Sequence, residues 1–80
     1  MQAKEVQSLL ESGLEACQVE VSGEGNHYDV LVIGEIFAGL RPVQKQQLVY
    51  AVLNPLIADG SMHAVNIRTY TPAQWQAQSD

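Results

Sequence analysis

Two histidines and one cysteine are the side chains in this eighty-residue chain with the clearest capacity for chemistry: His27, His63 and Cys17. Neutral imidazole is a common ligand for iron, zinc and copper. Two imidazoles leave a first-row metal coordinatively unsaturated, so any metal held by them needs further ligands from a partner. His27 follows the glycine-rich stretch Ser22-Gly23-Glu24-Gly25-Asn26, and His63 follows the break Asp59-Gly60-Ser61. Both are therefore expected at the ends of elements, where a side chain is supported by rigid structure and still reachable. A plainer reading stands beside this one. His63 is in phase with Val65 and Ile67, as a hydrogen-bonded, partly buried residue would be, and His27 reads equally as a solvated turn residue. Spacing alone favours these plainer readings over ligation. Cys17, in phase with Val19 and Val21, reads as a buried structural thiol rather than a reactive one.

Other chemistries lack their parts. A single cysteine permits no internal disulfide, zinc ribbon, ferredoxin-type cluster or CxxC redox pair. No nucleophile elbow positions a Ser–His–Asp set. Gly23-Glu24-Gly25 lies between two strand patterns, so it lacks the helix N-terminus that a phosphate-binding loop needs. The chain reads as a non-enzyme.

The elements that must hold these residues follow from apolar spacing. Val6, Leu9, Leu10 and Leu14 form one stripe and predict a helix over residues 3–13, ending at Gly13. Cys17, Val19 and Val21 alternate with Gln18 and Glu20, a half-buried strand. Residues 22–26 form a turn cluster, and strand character resumes from His27 to Ile33. Tyr28, Val30 and Val32 share one face of that strand; Asp29, Leu31 and Ile33 share the other. The two strands make a hairpin joined by about five turn residues. Gly34 to Leu40 reads as a packed connector anchored by Ile36 and Phe37. Pro42 suits a first helical turn, and the helical pattern runs from Val43 through Leu53. Asn54-Pro55 then predicts either a second short helix with Asn54 as its cap, the favoured reading, or a single helix kinked at the proline. Met62 to Tyr70 is a third strand. Thr71-Pro72 opens a short terminal turn through Gln76, and Gln78-Ser79-Asp80 is expected to fray. The expected architecture is α/β (α+β): a two-layer αββααβ sandwich with a three-stranded mixed sheet, one domain over residues 1–80 with an ordered core at about 3–76.

The charge is uneven. Residues 1–40 carry one lysine against seven acids and residues 41–80 three basic residues against two acids, which together give the net −5. A scattered Lys4, Arg41, Lys45 and Arg68 make a poor phosphate-backbone binder. The apolar runs Val30–Ile33 and Leu48–Leu53 are far shorter than the ~20 residues of a membrane-spanning helix. Met1-Gln2-Ala3-Lys4-Glu5 carries no apolar leader pattern, so a reducing, cytoplasmic setting without membrane attachment is expected.

Against this background three segments carry a resemblance. They are Gly34-Glu35-Ile36-Phe37-Ala38-Gly39, then Val43 with Gln46-Gln47-Leu48-Val49-Tyr50, then the run from Met62-His63-Ala64 to Thr71-Pro72-Ala73-Gln74-Trp75. Together they resemble the BolA family, and within it a short, acid-resistance-associated bacterial branch. The likeness extends from the first helix to Trp75. It implies a BolA-like, type II KH-like fold. It also implies an adaptor that binds a monothiol glutaredoxin and co-ligates a [2Fe–2S] cluster for iron–sulfur trafficking or sensing in the stress response. The glutaredoxin cysteine and glutathione would ligate one side of that cluster. His63 corresponds to the family's histidine near the start of the last strand, and His27 occupies the region of its second ligand. The isolated chain is expected to hold no cofactor, and the sequence leaves a homodimer open. DNA binding through the KH-like fold is the alternative. Gly39-Leu40-Arg41-Pro42 does not supply a KH-type G-x-x-G loop with basic neighbours, and Gln44-Lys45-Gln46-Gln47 is less basic than the family's usual helix.

Overall fold

Helix α1 (Ala3–Gly13) begins where Glu5 accepts a hydrogen bond from the Gln2 backbone N–H at 3.3 Å. That places an acid at the positive end of the helix dipole. Val6 and Leu10 are fully buried one turn apart, whereas Leu9 is 38% exposed, so the buried stripe is narrower than its spacing suggested. The computed structural model describes residues 2–24, 27–60 and 62–79.

Strands β1 (Gln18–Glu24) and β2 (His27–Ile33) pair antiparallel, from Gln18 opposite Ile33 to Glu24 opposite His27. The ladder runs through Ser22, Gly23 and Glu24, so these three residues of the expected five-residue turn belong to the strand pair; positions 25 and 26 lie outside the described residues. Gly23 makes this possible. Its φ of +133° is a conformation that side chains avoid, and a Cβ there would run into the carbonyl oxygen of His27.

A single 3₁₀ turn (Glu35–Phe37) follows β2. Only one of the two expected anchors enters the core: Phe37 is fully buried and Ile36 is 37% exposed. Helix α2 (Pro42–Ala58) starts with Pro42 in its first turn, and Gln44 accepts a hydrogen bond from the Arg41 backbone N–H at 2.9 Å. This partly replaces the side-chain cap that arginine does not supply.

The expected break at Asn54-Pro55 does not occur. One helix runs through Pro55, and Asn54 is not a cap. Proline cannot donate the bond that would reach back to the Ala51 carbonyl, but it sits in the last turn, so little of the ladder is lost. The buried stripe Val49 and Leu53, flanked by half-buried Val52 and Leu56, continues across it. Burial of such side chains, worth ~1.5–3 kcal/mol each, outweighs a local defect of about 3 kcal/mol. Backbone bonds from Asp59 to Pro55, Gly60 to Ile57 and Met62 to Leu56, at 3.1–3.3 Å, close the helix end.

Strand β3 (Ala64–Tyr70) pairs parallel with β2, His27 beside Ala64 and Ile33 beside Tyr70, which gives the mixed sheet order β1-β2-β3. It starts two residues later than expected, so His63 precedes the strand. Helix α3 (Pro72–Ser79) is longer than the predicted terminal turn and includes Gln78 and Ser79; the expected fraying of Asp80 lies outside the described residues. Its start is a capping box: the Thr71 hydroxyl accepts from the Gln74 N–H at 3.2 Å, and the Gln74 side chain accepts from the Thr71 N–H at 2.9 Å. The Trp75 ring lies 5.3 Å from that of Tyr70.

The core sits between the helices and one sheet face, where Val19, Tyr28, Val30 and Val32 meet Leu10, Phe37, Val49, Leu53 and Met62. The opposite face exposes Glu20, Asp29, Asn66 and Arg68. Among the described residues no helix is long and apolar enough to cross a membrane.

Candidate functional site

The parallel pairing of β2 and β3 brings the two histidines together. His27 is the first residue of β2, seated close against the β1 backbone by the missing Cβ of Gly23. The residue paired with it is Ala64, and His63 is the bend just before. Met62 fixes that bend from the other side: it is buried to 2% exposure and its N–H bonds the Leu56 carbonyl at 3.2 Å. Both histidines are exposed and both line a cleft of about 510 Å³. The partly buried reading of His63 is thereby overturned, because the strand phase that supported it begins only at Ala64.

The remaining walls of this cleft include Tyr50 and Ile57 from α2, and Asp29 with Asn66 from the sheet. Asp29 is the one lining residue with a formal charge when the imidazoles are neutral. One of its oxygens accepts a hydrogen bond from the Asn66 side-chain amide at 3.1 Å, linking the strands next to His27. Sequence spacing missed Asp29, Asn66 and Tyr50 as members of this cleft. Tyr50 stood in the Val49-Tyr50 motif without a role, and only the parallel register reveals Asn66 beside Asp29.

Cys17 is elsewhere. It lies just before β1 against Gly34, where a Cβ on the glycine would sit 2.5 Å from the sulfur. Gly34 follows the last residue of β2, whereas His27 is the first, so a strand rise of ~3.3 Å per residue separates thiol and imidazoles by roughly 20 Å. The cysteine is half-buried, and that burial pushes its thiol above the ordinary value. Among the described residues no group of three or more His, Cys, Asp or Glu side chains is placed to hold a metal ion. The donor set thus amounts to two reachable imidazoles with no thiolate beside them. It fits one side of a metal centre whose other ligands come from outside, and it cannot close a coordination shell alone.

The basic residues do not gather. Arg68 is on the open sheet face, in a depression shared with Glu20 and Asp29, while Arg41 and Lys45 lie at the start of α2, Arg41 just before its first residue.

A three-stranded mixed sheet with three helices on this chain order is the α+β fold of BolA structures. A bolA protein homologue from Coxiella burnetii superposes with a TM-score of 0.85 at 26% identity, over 95% of this chain and 97% of that one. The sequence agrees: residues 1–74 match the model of the BolA-like protein family, to which this chain belongs. Acid stress protein IbaG of Escherichia coli strain K12 is 48% identical over 75 residues, which cover 94% of this chain and 89% of IbaG. An uncharacterised protein from the rpoN-murA intergenic region of Acinetobacter guillouiae is 38% identical over 79 residues, covering 99% of this chain and 95% of that protein.

Proposed function

We propose that this chain is a non-enzymatic adaptor that binds a monothiol glutaredoxin and carries, jointly with it, a [2Fe–2S] cluster as cargo, in a cytoplasmic stress response. His63 and His27 are its ligands; the glutaredoxin cysteine and glutathione supply the thiolates. The observation that carries this reading is the position of both imidazoles in one cleft, with the chain's cysteine roughly 20 Å away at the far end of β2. Membership of the BolA-like family and likeness to a relative named as an acid stress protein support it.

The chemistry of the donor set is consistent with exchange rather than permanent storage. Imidazole in place of thiolate raises a cluster's potential. It also ligates only when deprotonated, so loading is sensitive to pH. For the DNA-binding alternative, the separation of Arg68 from Arg41 and Lys45 removes the continuous basic surface that phosphate contacts require.

The test mixes the purified chain with a cluster-loaded monothiol glutaredoxin, followed by visible absorption, circular dichroism and sizing. A changed cluster spectrum in a heterodimer is expected. An unchanged spectrum with no heterodimer would refute the proposal.

A further inference from the structure

The cleft contains a hydrogen-bond donor that neither histidine accounts for. Tyr50 of α2 is half-buried, so α2 holds its ring, and it lines the same cleft as His27 and His63. Its phenol makes no hydrogen bond with any described residue, whereas Tyr28, the other tyrosine of the lining, is only 3% exposed and already engaged in an interaction of its own. Among the described residues no buried side-chain oxygen or nitrogen lacks a partner. The unbonded Tyr50 oxygen is therefore reachable from solvent. On the sheet side of the cleft, the Asn66 amide already donates to Asp29, whose carboxylate repels an anionic guest. Tyr50 lines the same space from the helix side and carries a neutral donor still unspent.

We infer that Tyr50 is a positioning residue for the cargo: its phenol O–H donates a hydrogen bond to a sulfur atom of the cluster held between His27 and His63. This rests on the shared-cluster reading above and adds to it the residue that selects a sulfur-bearing guest. Sulfide and thiolate sulfurs in such clusters carry excess negative charge, and hydrogen bonds to them raise the reduction potential by stabilising the reduced form. A bare divalent cation on the same two imidazoles presents no acceptor to Tyr50. The phenol thus gives the cleft a means of favouring a cluster over a simple metal ion.

The experiment uses the full chain in complex with cluster-loaded monothiol glutaredoxin, comparing wild type, Tyr50→Phe and Tyr50→Leu. Three quantities are read: the cluster's midpoint potential, its rate of loss to a chelator, and the thermal midpoint of the apo chain. Tyr50→Phe keeps the ring and is expected to leave the thermal midpoint unchanged and the heterodimer intact. Its cluster potential should be more negative, and its cluster loss about tenfold faster, the scale of one hydrogen bond to a charged acceptor. Tyr50→Leu should give the same shift in potential together with a lower thermal midpoint. A Tyr50→Phe complex with wild-type potential and wild-type cluster loss overturns the inference and leaves Tyr50 a packing residue, whatever Tyr50→Leu does. If the wild-type chain acquires no shared cluster, the proposed function falls and this inference with it. A wild-type shared cluster whose potential and loss rate are both unmoved by Tyr50→Phe removes this inference alone.

Discussion

Replacing Gly34 by alanine should destabilise the fold, and deleting the sulfur of Cys17 should reverse the sign of that effect. Gly34 has φ −169°, an extended conformation open to any residue, so the backbone raises no objection to a side chain. Space does. An added Cβ would lie 2.5 Å from the Cys17 sulfur, about 1 Å inside the ~3.5–4.0 Å of a comfortable contact. The glycine is buried, and its N–H is held by the Tyr70 carbonyl at 2.9 Å, so the strand cannot simply back away. Overpacking of this kind costs about 1–3 kcal/mol, and alanine returns roughly 0.4–1 kcal/mol by restricting the unfolded chain. The net loss for Gly34→Ala is then on the order of 1–2 kcal/mol, or a fall in Tm of about 4–16 °C for a domain of this size. In a Cys17→Ala background the nearest remaining atoms are the residue-17 Cβ and Cα, at 3.5 and 3.6 Å, both ordinary contacts. Only the unfolded-state gain then remains, and Gly34→Ala should be neutral or slightly stabilising. Urea unfolding of the two single variants and the double variant, followed by far-UV circular dichroism, measures the coupling. Additive changes, within about 0.5 kcal/mol, would refute the steric account of this glycine.

Within the shared complex, His63→Ala should alter the visible spectrum of the cluster more than His27→Ala, as recorded by circular dichroism of the purified heterodimers. Thr71→Ala should cost about 1 kcal/mol by removing one half of the α3 capping box, and should weaken the near-ultraviolet signal of the Tyr70–Trp75 pair. Burial holds the Cys17 thiol in its neutral form, so alkylation at pH 8 should be slower in the folded chain than in urea. The unfolded chain loses that proton first. The associated stability is therefore full below the ordinary thiol value and is lost as pH rises through the raised folded one; Cys17→Ala should flatten that alkaline decline.

Strand periodicity made most of β2 legible, because a period of two separates buried Tyr28, Val30 and Val32 from exposed Asp29; it does not account for Ile33, which shares the Asp29 face and is nevertheless buried. The first helix was equally plain, except that Leu9 lies at the rim of the stripe, where periodicity cannot distinguish half-buried from buried. Local rules failed where longer-range contacts overrode them. Asn54-Pro55 carries a helix-start signature, yet packing of Leu53 and Leu56 on either side keeps α2 whole. The extent of the hairpin was hidden because the close approach of Gly23 to His27 depends on both strands at once. Of the cleft, the histidines could be singled out by type, and the expectation that they act as ligands came from family resemblance. Their adjacency to Tyr50, Asp29 and Asn66 could not be read, since spacing reveals neither strand order nor the direction of pairing.

That direction has a bearing on how the protein is made. Because β2 and β3 run the same way, the chain must cross the whole layer through α2 before it can return to the end where His27 waits. During synthesis, a growing chain that has emerged only as far as Ile33 can close its hairpin and present one imidazole. It has no second imidazole to offer until about thirty further residues have been added and β3 has docked, which is a non-local and comparatively slow event. The two-histidine cleft is therefore among the last features to form, and an unfinished chain cannot present both imidazoles there. On the proposed reading, completion of the fold itself sets when loading can begin.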